Sequence, residues 1–242
     1  MSTSPTTDLT LARDRCVRQG LMTAEHAGIS LRLHQNSQFL FLDAKAPIPQ
    51  LESYQTPSDG PSGQQGPYEL QSPGGLQSHL IPLHASIYQL RPDVGAILVG
   101  GGVFSTALHD LGPAARKGAP MPVAFDEQAR HLGRMGYAAG TGRAAPDMTP
   151  HELQASFANG ANTALIGNLP VCLGTTSQRL ALNAELFEKC AKAYVLAAAT
   201  GQPVSTLPWW VCAIAIGRLR KDQRRAAKRF AQGLFPQETR GY

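Results

Sequence analysis

Long hydrophobic runs, aromatic residues and charge are all scarce in this sequence of 242 residues, which is 7% aromatic and 16% charged. Its longest apolar stretch, residues 209–216, ends at Gly217 and Arg218, far short of the ~20 residues that a membrane-spanning helix needs. Residues 1–10 also lack the basic and then apolar pattern of a secretory signal. We therefore expect a cytoplasmic protein that does not contact a membrane.

Cysteine is equally scarce. The four cysteines lie far apart and form no C-x-x-C pair, which argues against a zinc knuckle and a disulfide framework: Cys16, Cys172, Cys190 and Cys212. We expect buried free thiols instead. A chain of this length buries roughly 70–75% of the surface that it exposes when unfolded, so its core needs no metal or disulfide. Any cofactor would serve function rather than folding.

Acidic side chains are few near the C-terminus, where the net charge of +5 is concentrated. Residues 218–229 hold seven basic side chains and one acidic side chain, Asp222. Apolar residues such as Leu219, Ala226 and Phe230 are interleaved with them, which favours an amphipathic helix over a nucleic-acid-binding tail. Because no nucleic-acid-binding module accompanies the segment, we do not expect a nucleic acid as partner. An acidic protein partner stays open.

The spacing of apolar residues, caps and turns predicts one α/β domain without internal repeats. We divide the chain into a flexible N-terminus (1–7), a domain (8–205) and a C-terminal helix (206–242) that contains the basic segment 218–229. Residues 45–78 are rich in Pro, Gly, Ser and Gln and form a long loop, either a lid or a mobile connection. Helices are predicted at residues 8–20, 78–90, 103–111, 177–200 and after the capping box at 149–152, and strands at residues 29–33, 39–42, 94–99, 163–166 and 171–173.

A run of three glycines, Gly100, Gly101 and Gly102, follows the strand predicted at residues 94–99. Glycine lets backbone N–H groups approach a phosphate, so such a run suggests nucleotide binding. The run matches neither G-x-G-x-x-G nor G-x-x-x-x-G-K-[ST], and no acidic residue follows a second strand at the required distance. The nucleotide signal is therefore weak.

The motifs around the glycine run resemble those of the class II aldolase/adducin family. Residues 83–94 (LHASIYQLRPDV) resemble the LHxxIYxxRPDV helix and turn of that family. Residues 27–32 (AGISLR), 121–128 (MPVAFDEQ) and 164–168 (ALIGN) resemble its GNxSxR hairpin, P-x-x-F-D-E stretch and LLxNHG strand. The resemblance covers residues 8–205 and implies a three-layer α-β-α domain with a mostly antiparallel central sheet. It also implies a homo-oligomer, commonly a tetramer with pockets between subunits.

The same resemblance implies that the metal chemistry of the family is missing. Family aldolases hold a divalent metal with three histidines, whose positions correspond here to Val99, Gly101 and Leu169, and their catalytic glutamate corresponds to Leu80. None of these residues has a side chain that can bind a metal or transfer a proton. We therefore predict no metal and no other cofactor. Asp43 stands at the phosphate-binding turn of the family and would repel a phosphorylated sugar.

Three polar residues near that pocket are candidate catalytic residues: His79, His84 and Asp126. An imidazole whose pKa is near neutrality can act as an acid or a base, and Asp126 lies close to where some family members place a tyrosine acid across a subunit interface. The alternatives are structural, namely a hydrogen-bonded core position for His84 and a helix N-terminus for Asp126. The predicted pocket wall consists of Ser30, Arg32, Ser78, Leu80, Tyr88, Val99, Gly100, Gly101, Gly102 and Leu169.

Two functions remain open from the sequence. One is a metal-independent lyase, decarboxylase or isomerase acting on a non-phosphorylated carbonyl or aromatic small molecule, because the replaced histidines leave a larger and drier pocket floor. The other is a non-catalytic pseudoenzyme that keeps the fold for oligomer assembly or partner binding, as the adducin head domain does. In that case the basic segment 218–229 is the expected contact surface.

Overall fold

The computed structural model describes residues 4–23, 27–33, 37–46, 48–53, 80–111, 121–138, 149–201 and 204–237. In these ranges, seven strands form one sheet in the order β3-β2-β1-β4-β7-β6-β5. The strands are β1 (Gly28–Arg32), β2 (Gln38–Asp43), β3 (Gln50–Ser53), β4 (Ala96–Val99), β5 (Gly136–Ala138), β6 (Thr163–Ile166) and β7 (Leu169–Gly174).

Six α-helices accompany the sheet in the same ranges: α1 (Pro5–Arg18), α2 (Ile81–Leu90), α3 (Val103–Ala107), α4 (Pro150–Ser156), α5 (Ser177–Ala199) and α6 (Trp209–Ala231). A short π-helical segment, Gln128–Leu132, precedes β5. No helix in the described part of the chain combines the length and the apolar character that crossing a bilayer requires.

Antiparallel pairing dominates the sheet. The central strand β1 runs antiparallel to β2 and β4, and β7 runs antiparallel to β4 and β6, whereas β5 and β6 run parallel. In this register, Ser30 of β1 lies opposite Phe41 on one side and Ile97 on the other. The predicted, mostly antiparallel sheet is confirmed, and β1, β4 and β7 are adjacent at its centre.

Alternation of side chains along the strands divides the core between the two faces of the sheet. On one face, Phe41 and Val99 belong to an apolar cluster that includes residues of α2 and α4. On the other face, Ile29 and Leu98 pack with residues of α1 and α5. Helices therefore cover both faces, which confirms the predicted three-layer α-β-α architecture.

The C-terminal helix α6 packs against the domain. Its Cys212 and Ala215 form a small apolar cluster with Val123 and Ala129, the latter from the π-helical segment. The buried face of α6 continues through Leu219, Gln223 and Ala226. Because the basic residues lie between these buried positions, the predicted amphipathic character of segment 218–229 is confirmed.

Most predicted elements lie within a few residues of their predicted positions. Strand β5 and the π-helical segment Gln128–Leu132 have no predicted counterpart, and two further elements differ from their prediction. Helix α1 begins at Pro5, before its predicted start, because the Ser4 side chain accepts the N–H of Thr7 and caps the helix. Strand β3 lies inside the predicted loop 45–78, since backbone pairing with β2 forms it without an apolar pattern of its own. Residues 54–79 of that loop lie outside the described residues.

All four cysteines are free and buried, as predicted. Burial raises the pKa of the Cys16 and Cys190 thiols to about 12. These thiols therefore stay protonated at neutral pH, a state in which cysteine is a poor nucleophile and a poor metal ligand.

Candidate functional site

The structure brings three of the predicted site residues together between the sheet and α2. Ser30 lies on β1, and His84 and Tyr88 lie one turn apart on α2. The Ser30 hydroxyl is 2.7 Å from His84 Nδ1 and 2.8 Å from the Tyr88 hydroxyl. All three residues are buried. The alternation of β1, which points Ser30 toward the α2 face, and the i, i+4 spacing on α2 produce this network.

His84 is held as a neutral imidazole. Burial lowers its pKa to about 3. The edge of the Phe41 ring lies against it, with the ring centroids 5.2 Å apart. Its Nδ1 bonds to Ser30, whereas Nε2 is buried and has no hydrogen-bond partner in the part of the chain that the structure describes. An imidazole in this setting carries no positive charge at neutral pH, so the geometry favours the structural alternative for His84 over acid catalysis.

The contacts of Arg32 are also structural, because they hold the end of α2. One terminal nitrogen of its guanidinium donates to the carbonyl oxygens of Tyr88 and Arg91, at 2.7 and 3.0 Å. These carbonyls belong to the C-terminal end of α2, where helix carbonyls lack partners within the helix. The guanidinium also lies 4.9 Å from the centroid of the Tyr88 ring. Arg32 therefore anchors the end of α2 to the sheet.

The positions that carry metal ligands and the catalytic base in the resembled family are filled by apolar packing. Leu80 and Val99 belong to one core cluster, and Leu169 packs against it. A Cβ added to Gly101 would lie 2.4 Å from Ser105 Oγ and 2.7 Å from a carbon of Pro170. In addition, the described residues contain no group of three or more His, Cys, Asp or Glu side chains that could hold a metal. The residues at these positions do not fit a divalent metal.

The last glycine of the run, Gly102, lies against a carboxylate of the same chain. Gly102 is the N-cap of α3, and the Glu188 carboxylate from α5 accepts the N–H groups of Phe104 at 2.7 Å and Ser105 at 3.0 Å. A Cβ on Gly102 would lie 2.5 Å from that carboxylate, so glycine is what lets Glu188 approach. The backbone donors that a phosphate would use are already bonded. Sequence reasoning missed Glu188, because it lies more than eighty residues from the run.

Of the other two candidate catalytic residues, only Asp126 is among the described residues. Asp126 is exposed, directly before the π-helical segment, whereas the network of Ser30, His84 and Tyr88 is buried. His79 and Ser78 lie outside the described residues.

A cavity of about 660 Å³ lies between the π-helical segment, α5 and α6, and Ser30, His84 and Tyr88 do not line it. None of the predicted site residues that the structure describes lines it. Most of its lining residues are charged or polar, with Arg130, Arg179, Asn183 and Arg225 among them. In the sequence, the basic segment 218–229 was the one signal that indicated part of this cavity. The other members are scattered and follow no motif.

No model of a known protein family matches the sequence, and no curated protein does either. Solved structures match it over most of its length. An L-fuculose 1-phosphate aldolase superposes with a TM-score of 0.66 at 17% identity, covering 91% of this chain and 98% of that chain. YgbL from Escherichia coli, an aldolase/epimerase/decarboxylase candidate, gives 0.63 at 18% identity, covering 88% and 96%. An aldolase II superfamily protein from Pseudomonas syringae gives 0.62 at 15% identity, covering 97% and 96%.

Proposed function

We propose that this chain, which has the fold of the class II aldolases, is a non-catalytic binding protein that does not perform their metal-dependent chemistry. One observation carries the proposal: the positions of the three metal ligands and the base are occupied by Val99, Gly101, Leu169 and Leu80. Three of these side chains take part in one apolar core cluster. A site that stabilises an enediolate needs lone-pair donors for the metal and a group that moves a proton. These positions supply neither.

The polar residues that remain beside those positions support the same function. Ser30, His84 and Tyr88 bond to one another and are buried, and Arg32 is bonded to the end of α2. Each of these groups therefore has a packing or anchoring role that explains its presence. Buried polar networks of this kind hold neighbouring elements in one arrangement, which a binding protein needs as much as an enzyme does.

The test is an activity and metal measurement on the full chain, purified without a metal-chelating tag. L-Fuculose 1-phosphate and a set of non-phosphorylated hydroxycarbonyl compounds serve as substrates, with added Zn²⁺, Mn²⁺ or Fe²⁺. An active L-fuculose 1-phosphate aldolase is the positive control. We expect no turnover and a metal content far below one ion per chain. Stoichiometric metal, or metal-dependent turnover above the protein-free rate, would refute the proposal.

A second candidate function is a metal-independent lyase, decarboxylase or isomerase. The observation that favours it is the buried His84 Nε2, to which none of the described residues bonds and which lies in a network with two hydroxyl groups. A substrate could use such an atom as its hydrogen-bond partner. Turnover without metal would support this function if His79→Ala or His84→Asn abolished it while the melting temperature showed that the variant was folded.

We also propose that the chain forms a homo-oligomer, with a tetramer as the expected state. Large apolar side chains are exposed at the start of α6, where Trp209 is 77% and Trp210 is 55% exposed. Phe125 is exposed on a neighbouring segment, which the hydrogen bond from the Leu207 N–H to the Val123 carbonyl joins to the start of α6. Exposed apolar patches of this kind are typical of subunit contacts.

A further inference from the structure

Polar groups also converge in the cavity between the π-helical segment, α5 and α6. We call it the α5–α6 groove. Its volume of about 660 Å³ lies within the range of sites that hold small organic molecules. It does not include the residues of the family pocket, so an inference about it is independent of the proposed function.

Positive charge exceeds negative charge in the groove. Five permanently cationic side chains line it, from three separate elements: Arg130, Arg179, Lys189, Arg225 and Arg229. Three carboxylates line it as well: Glu127, Glu185 and Asp222. His131 adds no charge at neutral pH, because burial and the nearby Arg179 and Arg130 lower its pKa.

The three carboxylates are already engaged by cations, Glu127 by Lys189 at 3.1 Å. Asp222 pairs with Arg130 and lies 3.7 Å from Arg225, so one carboxylate serves two guanidinium groups. Glu185 accepts two hydrogen bonds, at 2.6 and 2.7 Å, from Arg15 of α1, a residue that does not line the groove. Cations from separate elements thus meet around one cavity, and an anion placed there would reduce their mutual repulsion.

A buried acceptor without a partner lies in the same wall. Asn183 is 1% exposed, and its Nδ2 donates to the Leu173 carbonyl at 2.8 Å. That bond fixes the orientation of the amide and leaves Oδ1, which has no hydrogen-bond partner among the described residues. A buried acceptor of this kind gains from any donor that a ligand brings to it.

The neighbouring amides of the wall are satisfied. Asn162 Oδ1 accepts from Gln223 Nε2 at 3.0 Å and from Arg91 at 3.1 Å, and Asn162 Nδ2 donates to the His131 carbonyl. These bonds join α6, the π-helical segment and the end of α2. The part of the wall that surrounds them is therefore built before any ligand binds, which lowers the entropic cost of binding.

We propose that the α5–α6 groove binds a small organic anion, a carboxylate or a phosphate, that also carries a hydroxyl or N–H group to donate to Asn183 Oδ1. We expect an anionic group on the ligand because cationic side chains line the groove. We expect a donor on the ligand because Asn183 Oδ1 is a buried acceptor. An acidic polypeptide would also complement the positive charge of the groove. The volume of the groove and the burial of Asn183 favour a small molecule.

Isothermal titration calorimetry on the full chain tests the charge requirement. The probes are inorganic phosphate, glycerol 3-phosphate, succinate, L-malate and citrate, with glycerol as the neutral match for glycerol 3-phosphate. We expect at least one anion to bind, with an affinity that falls as salt is added, and no binding of glycerol. Failure of every anion to bind, or binding of an acidic peptide alone, would overturn the proposal.

A matched pair of double variants locates the site. Arg225→Gln with Arg229→Gln removes two cations that line the groove, whereas Arg224→Gln with Lys228→Gln removes two exposed cations of α6 that do not line it. Both variants change the net charge equally. We expect the first to weaken binding by about tenfold or more and the second by less than roughly twofold. An equal loss in both variants would refute the groove as the site.

The donor requirement has its own test. L-Malate differs from succinate by one hydroxyl group, so wild-type protein should bind L-malate more tightly. Asn183→Leu removes the acceptor and should abolish that preference while succinate binding persists. A preference that survives in Asn183→Leu would contradict the assignment of Asn183, and melting temperatures of the variant confirm that it is folded.

Discussion

Lowering the pH from 7.5 to 5 is expected to cost the folded protein about 2 kcal/mol through the titration of His84 alone. Burial lowers the pKa of this imidazole from 6.5 to about 3 in the folded protein. As the pH falls below 6.5, the unfolded chain binds a proton at His84 that the folded protein does not bind. The contribution of His84 to stability is therefore complete above pH 6.5 and is lost progressively toward pH 3.

Urea unfolding of wild-type protein and His84→Asn at pH 7.5, 6 and 5 measures this contribution. The asparagine keeps an acceptor for the Ser30 hydroxyl and does not titrate in this range. His131, whose pKa is also lowered by burial, contributes to both proteins, so the difference between them isolates His84. NMR of the His84 ring is a second measurement, in which the ring signals should not move above pH 5.

A wild-type protein that loses no more stability than His84→Asn would refute the buried, neutral imidazole. So would a His84 ring that titrates near pH 6.5. Either result would mean that His84 exchanges protons in the folded protein, and it would return His84 to the candidate catalytic residues.

Three further substitutions test the other packing arguments. Ser30→Ala should cost about 2–5 kcal/mol, because it removes one hydrogen bond from each of two buried groups, His84 Nδ1 and the Tyr88 hydroxyl. Ser86→Ala, which removes a part-buried hydrogen bond on α2, should cost less than about 1.5 kcal/mol; equal losses in urea unfolding would contradict the network. Gly102→Ala should destabilise the protein by about 1–3 kcal/mol, since the added Cβ would displace the Glu188 carboxylate at the start of α3. The control Gly217→Ala, on the exposed face of α6, should stabilise the protein by about 0.5–1 kcal/mol. A Gly102→Ala protein as stable as wild type would contradict the close contact between Gly102 and Glu188. Trp210→Ser should dissociate the oligomer in light scattering, and an unchanged molar mass would show that this side chain is outside the interface.

Much of the architecture could be predicted because its signals are local. The Thr149–Glu152 capping box places the start of α4, and the helical spacing of residues 177–200 places α5. Alternation along the strands predicts which side chains point together. The motif at residues 83–94 carried the fold resemblance and placed His84 and Tyr88 on one side of α2. Each of these signals lies within about twenty residues, where backbone geometry links spacing directly to direction.

What surrounds the family metal positions and the glycine run depended on contacts between distant parts of the chain. The sequence showed that the metal-ligand positions of the resembled family hold Val99, Gly101 and Leu169, but not that Leu80 and Val99 share a core cluster. The glycine run suggested an external phosphate, whereas the Glu188 carboxylate accepts the N–H groups of Phe104 and Ser105 that directly follow the run. No local pattern selects that glutamate, because only the packing of α5 against α3 brings it there.

In the basic segment 218–229, too, one property could be predicted from the sequence and another was decided by the tertiary structure. Its composition was enough to predict an amphipathic helix, since helical spacing separates buried from exposed positions within a few turns. Which of its cations line the α5–α6 groove was decided by the docking of α6 beside α5 and the π-helical segment. Charge is a property of each residue and can be read from the sequence. A charged cavity exists only where the tertiary structure brings such residues together, because the attraction and repulsion among them depend on distance through space.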